Sequence, residues 1–367
     1  MTERIHNFGA GPATLPEPVL RQAQQDLWNL DGTGIGVLEH SHRGKAFARV
    51  RDRAEQACRD LAGIPDTHEV LFLQGGASHQ FAMVPMNLLA EGRTADYVVT
   101  GTWSKKALAE AKGLGKTHVA ATTAGEEFRR IPRPDEIAWS SDPVYAHVTS
   151  NNTIVGTQWR EEPAVPTGVP LVSDMSSDIF SRPVDVARYG VIYAGAQKNL
   201  GPSGITLVIM AKSLVEAGST GIPTILQYRT HAAEQSLYNT PPTFGIYMMG
   251  EVFRWIAAEG GLTGMAERNE EKARLLYDYL DASRFFRGTA EPASRSRMNI
   301  CFRAPTEALE AEFIAEATRR GLDGLKGHRS VGGMRASIYN ACSLESVRAL
   351  VQAMDQFETA NRGAMVG

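Results

Sequence analysis

Asp174 and Lys198 are the two residues whose types and settings point first to chemistry. Each stands where an apolar run gives way to small and turn-forming residues, in Leu171-Val-Ser-Asp174-Met-Ser-Ser177 and Val191-Ile-Tyr-Ala-Gly-Ala-Gln-Lys198-Asn-Leu-Gly-Pro-Ser-Gly204. Short apolar runs of this kind read as buried strands. A lone lysine in a turn is ordinarily a solvated side chain. A carboxylate at a second strand end gives this one another use. An amine can condense with an aldehyde, and a carboxylate can keep a pyridine nitrogen protonated, so that the ring draws electrons. The pair therefore suits pyridoxal phosphate. Gly195, Ala196, Gly201 and Gly204 are small enough for a planar group to approach the backbone.

Further apolar runs supply the frame. Residues 69–73, 95–100, 117–122 and 144–149 join 171–174, 191–194 and 205–210 as strands. Pro16 and Glu17 open a first helix after an extended arm at 6–16 that is rich in glycine and proline. Gln74-Gly-Gly-Ala77-Ser78 turns a strand into a helix whose first N–H groups suit a phosphate. Ser104 reads as the cap of a helix over 104–112, with Trp103 at the corner before it. Two long helices follow at 244–258 and 262–282, and their aromatic and methionine positions read as core. The tail reads as strand, helix, strand, helix over 298–303, 306–320, 334–339 and 343–360. The expected fold is α/β: a large domain at 17–258 with a mainly parallel, seven-stranded sheet, and a small domain made of 1–16 and 259–367. Ligand is expected beyond the strand ends.

The 367 residues carry 38 basic and 41 acidic side chains, so no basic field invites nucleic acid. Cys58, Cys301 and Cys342 are widely spaced, which argues for reduced thiols in a cytoplasm and against a disulfide framework. No apolar run is long enough to span a bilayer, and the polar start lacks a signal-peptide core. His40 and His42 have a spacing a metal could use on a strand, but no third ligand is evident, so no metal is expected.

The segments around Asp174 and Lys198, together with Asn7-Phe-Gly-Ala-Gly-Pro12 and Gly327-His-Arg-Ser-Val-Gly-Gly-Met-Arg335-Ala-Ser-Ile-Tyr-Asn340, closely resemble the phosphoserine aminotransferase family. That family is a class V, fold type I group of pyridoxal-phosphate enzymes, and the resemblance runs nearly end to end. It implies amino transfer from glutamate to 3-phosphohydroxypyruvate in serine biosynthesis, with 4-phosphohydroxythreonine formation in pyridoxine biosynthesis as a related possibility. It implies that Trp103 stacks on the pyridine face and that Thr153 bonds near the ring's 3′ oxygen. Gln197 and the Ala77-Ser78 turn would also hold the cofactor, although the familiar pattern has Gly-Arg where this chain has Ala77-Ser78. Arg335 would grip the substrate α-carboxylate, with Ala10 beside it, and His42, Arg43, His328 and Arg329 would meet the second anion. Asn239 and Thr240 would reach the cofactor phosphate across a homodimer with shared active sites.

Two other readings stay open on sequence. A cysteine desulfurase or selenocysteine lyase of the same fold would need a thiol in a mobile loop, and none is obvious. A non-catalytic pyridoxal-phosphate-binding regulator would lack the arginines or carry a DNA-binding module.

Overall fold

The computed structural model describes residues 4–361. Its centre is a sheet of seven strands: β1 (His68–Leu73), β2 (Thr94–Val99), β3 (Lys116–Thr122), β4 (Pro143–Thr149), β5 (Leu171–Asp174), β6 (Val191–Gly195) and β7 (Thr206–Ala211). They lie in the order β1-β7-β6-β5-β4-β2-β3. β7 runs antiparallel to β1 and β6, and the other neighbours are parallel, so the expected architecture stands.

Alternate residues serve opposite faces, as the pleat requires. Val70 and Phe72 join a core with α1 (Glu17–Asp26), α2 (Lys45–Ala62) and α5 (Thr243–Ala258). Leu71 and Leu73 join the other core, under α3 (Gly76–Leu88) and α4 (Thr102–Lys112). With both faces covered, the central strands can be apolar throughout.

A second, antiparallel sheet of β8 (Arg287–Gly288), β9 (Asn299–Arg303) and β10 (Met334–Ser337) packs against α7 (Glu307–Arg319) and α8 (Leu344–Ala360). Phe286, Phe302, Phe313 and Phe357 fill its core, largely edge to face. The arm joins it: His6–Asn7 pairs in parallel with Leu322–Asp323, and Phe8 is buried among these side chains. Helix α6 (Gly261–Ala282) spans both cores, giving Leu262 and Met265 to the first and Ala273, Leu276 and Leu280 to the second.

One expectation is corrected. Helix α4 begins at Thr102, so Trp103 lies inside its first turn and Ser104 is not the cap. The Ser104 hydroxyl instead reaches back to accept from the Thr100 and Gly101 N–H groups at 3.0 and 3.1 Å. His40 and His42 lie in a loop. The chain turns there, the Gly44 N–H donating to Ser41 O at 2.9 Å, and α2 begins at Lys45.

Candidate active site

The C-terminal ends of β1, β2, β4, β5 and β6 all open on one side of the sheet, and the site is built there. Lys198 follows β6 in a tight turn in which the Leu200 and Gly201 N–H groups donate to Ala196 O at 3.0 and 2.9 Å. Its Nζ donates to Thr153 Oγ1 at 2.7 Å and lies 5.5 Å from the Trp103 ring centroid. Desolvation disfavours the ammonium, and Arg335 adds repulsion. Together they outweigh the pull of Asp174 and Asp178 and lower the amine to about 8.

Asp174 ends β5 and is buried. Its Oδ1 accepts from the Ser176 N–H at 3.0 Å and the Ser176 hydroxyl at 2.6 Å, while no described residue donates to Oδ2. Burial raises the carboxyl, and Ser176 and the Lys198 charge oppose that rise. Asp178, four residues on, is equally buried but has both oxygens engaged, by the Ser150 hydroxyl and by Gln158 Nε2. Asp185 is exposed and caps a short 3-10 turn. Of the two buried carboxylates, Asp174 is thus the one that keeps an oxygen for a ligand.

The surrounding surfaces are polar where a phosphate needs donors and close where a ring needs walls. Gly75 and Gly76 adopt positive φ, 89° and 64°, to turn β1 directly into α3 without a side-chain cap. The first N–H groups of that helix have no intrahelical acceptor. Ala77 N lies 3.5 Å from where a Cβ on Gly195 would stand, so the helix start abuts the end of β6. These donors are backbone groups, and the replacement of Gly-Arg by Ala77-Ser78 leaves them in place. Gln197 packs its amide against Gly195, and its carbonyl accepts from the Ala13 N–H at 2.9 Å. Gly11 brings the arm over Lys198: a Cβ there would stand 3.3 Å from Lys198 Cγ. Trp103 Nε1 is buried without a protein partner.

Thr153 joins two functional groups, because its carbonyl also accepts from Arg335 Nη1 at 3.1 Å. Arg335 lies buried on β10 with Nε unpartnered, and no described ion pair joins it to a carboxylate. Such a guanidinium is ready to hold a planar carboxylate. His328 is pushed down by desolvation and then by the charges of Arg335, Arg329 and Lys106, so these cations share one region.

Other predicted residues are placed differently. His42 and Arg43 sit in the turn before α2, where Arg43 is exposed and His42 Nε2 is buried without a partner. No described hydrogen bond or ion pair links them to Lys198, Asp174 or Arg335. Asn239 and Thr240 lie in a non-helical loop beside Gln74, whose Nε2 donates to Thr240 O at 3.0 Å. Asn239 borders a surface pocket with Phe72, His79 and His231, and neither Lys198 nor Asp174 lines it.

Two contributors went unread in the sequence. Tyr339 donates its hydroxyl to Ala10 O at 2.8 Å and so pins the arm. Lys106 places Nζ 4.8 Å from the Trp103 ring centroid, and its i+3 spacing from Trp103 was the available signal.

Comparison with known proteins decides the family. The aminotransferase class-V family model matches residues 5–350. The chain is a class-V aminotransferase. Its relatives include a phosphoserine aminotransferase of Herpetosiphon aurantiacus, 54% identical over 354 residues, covering 96% of this chain and 98% of that one. Another, of Lysinibacillus sphaericus, is 53% identical and covers 98% of this chain and 99% of its own. The solved phosphoserine aminotransferase of Bacillus circulans subsp. alkalophilus superposes with a TM-score of 0.96 at 50% identity, covering 98% of this chain and 100% of its own. A pyridoxal-phosphate-bound phosphoserine aminotransferase of Trichomonas vaginalis gives 0.91 at 39% identity, covering 96% of this chain and 100% of its own.

The residues of this class-V aminotransferase fit pyridoxal phosphate. They offer an amine with a lowered pKa, a buried carboxylate oxygen for the ring nitrogen, an indole wall, and unpaired helix-start donors for the phosphate. The thiols fit a desulfurase poorly. Cys58 and Cys342 are buried, and burial raises Cys301 to about 12, far from the exposed, ionisable thiol that reaction uses.

Proposed function

We propose that this class-V aminotransferase moves the amino group of L-glutamate reversibly to 3-phosphohydroxypyruvate, giving O-phospho-L-serine and 2-oxoglutarate. The observation that carries the proposal is the convergence on Thr153 of Lys198, through the hydroxyl, and Arg335, through the carbonyl. It sets a proton-carrying amine beside a carboxylate-binding cation.

When bound, pyridoxal phosphate supplies the aldehyde that takes up the amino group and the ring that withdraws electrons. Lys198 would then serve as the base and acid that moves the substrate α-carbon proton. Asp174 would hold a proton on the ring nitrogen through the oxygen its neighbours leave free. Trp103 would wall the ring, Gln197 would flank it, and the Gly76–Ser78 N–H groups would hold the phosphate. Thr153 fixes the Lys198 amine between these tasks. Arg335 orients the α-carboxylate with Ala10 beside it, while His328 and Arg329 favour substrates with a second anion.

In this proposal the remaining contacts, His42 and Arg43 to the second anion and Asn239 and Thr240 to the cofactor phosphate, come from a neighbour. These four residues make no described hydrogen bond or ion pair with their own Lys198 and would complete the site of the other subunit in a two-fold dimer. The proposed domains are 17–258 and 1–16 with 259–367, and the proposed compartment is the cytoplasm. The test is the half-reaction. Glutamate should convert the cofactor absorbance to the pyridoxamine form without releasing ammonia, and a panel of keto acids should restore it fastest with 3-phosphohydroxypyruvate. Ammonia release, or equal rates with non-phosphorylated keto acids, would overturn the proposal.

A further inference from the structure

The apolar stripe of α6 runs through Leu262, Met265, Asn269, Lys272, Leu276 and Leu280, and a lysine and an asparagine interrupt it at successive positions. Lys272 is 2% exposed. Its ammonium faces no carboxylate among the described ion pairs. All three of its protons are used instead by main-chain carbonyls of one short turn: Ile338 at 2.9 Å, Tyr339 at 2.7 Å and Cys342 at 3.0 Å. A buried cation without a counter-ion is costly to keep, and it persists where hydrogen bonds replace its water.

That turn carries both sides of the site. It follows β10, on which Arg335 stands, and its Tyr339 hydroxyl pins Ala10 of the arm at 2.8 Å. Asn340 N–H donates at 3.0 Å to Asn199 Oδ1, on the residue next to Lys198, and Asn340 Nδ2 donates to Phe180 O at 2.9 Å. Asn269, one helical turn before Lys272, donates from Nδ2 to Asn340 Oδ1 at 2.8 Å and to Ser181 O at 3.0 Å. An unbroken series of buried hydrogen bonds thus leads from α6 through the turn to the Lys198 loop.

We propose that Lys272, assisted by Asn269, is a positioning residue that sets Arg335 and the arm in register with Lys198. The ammonium gathers carbonyls that would otherwise repel one another and so fixes the bend from which Tyr339 and Asn340 reach out. A planar or apolar side chain cannot serve three convergent acceptors. The residue acts through Arg335, so the proposal rests on Arg335 holding the substrate α-carboxylate.

The test is a double-mutant cycle on the cofactor-loaded protein with Lys272→Met and Arg335→Lys, and Asn269→Ser as a second entry to the same network. Lys272→Met should raise KM for glutamate roughly tenfold or more, because small misplacements of a binding group are expensive. Borohydride labelling of Lys198 should stay intact. In the Arg335→Lys background the same change should add little, since groups acting as a unit are not additive. Asn269→Ser should shift KM in the same direction, and it decides the matter if Lys272→Met does not fold. If Lys272→Met, or Asn269→Ser in its place, lowers Tm but leaves KM unchanged, or if its effects multiply fully with Arg335→Lys, the role is structural alone and the inference is wrong. If Arg335→Lys itself leaves KM unchanged, the carboxylate reading of Arg335 fails, and this inference falls with it.

Discussion

Lys198 and Thr153 are 45 positions apart in the chain, yet Nζ and Oγ1 stand 2.7 Å from each other. Thr153 sits in the turn of a small hairpin between Asn151–Asn152 and Thr157–Gln158. Buried amides hold that hairpin: Asn151 donates to Ser177 and Asn299, and Asn152 to Thr100 and Thr157. The threonine is therefore held firmly beside the lysine.

Thr153→Val should keep the fold and the cofactor but slow the glutamate half-reaction by about 10- to 100-fold, the worth of a hydrogen bond to a charged group. Thr153→Ser should retain most of the rate. Stopped-flow absorbance measures both, and a valine variant at full speed would show that the hydroxyl has no part in the proton transfer.

The Lys198 amine is lowered to about 8 because burial disfavours its charged form. Above that pH the amine is neutral and nucleophilic. Below it, the neutral fraction falls by about a factor of ten per pH unit. Capture of pyridoxal phosphate by cofactor-free protein should therefore speed up with pH and level off above about 8. A rate still climbing toward the ordinary lysine value of 10.5 would contradict the desolvated setting.

Asp174→Ala should hold the cofactor through the wall and phosphate contacts yet lose most proton transfer, and Asp174→Glu should keep more. Asp178→Asn should chiefly lower Tm, since both Asp178 oxygens serve internal hydrogen bonds. Turnover and melting measured on the three variants separate the roles. Normal transamination by Asp174→Ala would mean that another carboxylate meets the ring.

Much of this was legible because the signals are local. Apolar runs gave all seven strands of the large sheet, and glycine pairs marked the turn into α3. Asp174 ends an apolar run and Asp178 lies four residues beyond it, but residue type alone does not show how their oxygens are engaged. The hydrogen bonds on each oxygen supply that further distinction. The asparagine clamp on Thr153 was invisible for another reason: Asn151 and Asn299 look like surface residues until tertiary contacts bury them together. Lys272 was hidden by its neighbours, because Glu270, Glu271 and Arg274 make the segment look like a solvated face. Ser104 misled because its hydroxyl satisfies the helix start from the third position rather than from the cap.

The division between subunits can be tested by complementation. Arg43→Ala should weaken the phosphorylated substrate by about 10- to 100-fold, and Lys198→Ala should abolish turnover. In a mixed dimer one site would receive both intact residues, so about half of normal activity should return. Mixed dimers as inactive as their parents would mean that Arg43 serves its own subunit.

The most direct measurement is borohydride reduction of the cofactor-loaded protein, followed by peptide mapping, before and after glutamate is added. The label should fall on Lys198 before glutamate and be largely absent after it, once the amine has been released. A label on Lys105, Lys106, Lys272 or Lys326, or a Lys198 label that glutamate leaves unchanged, would contradict the account.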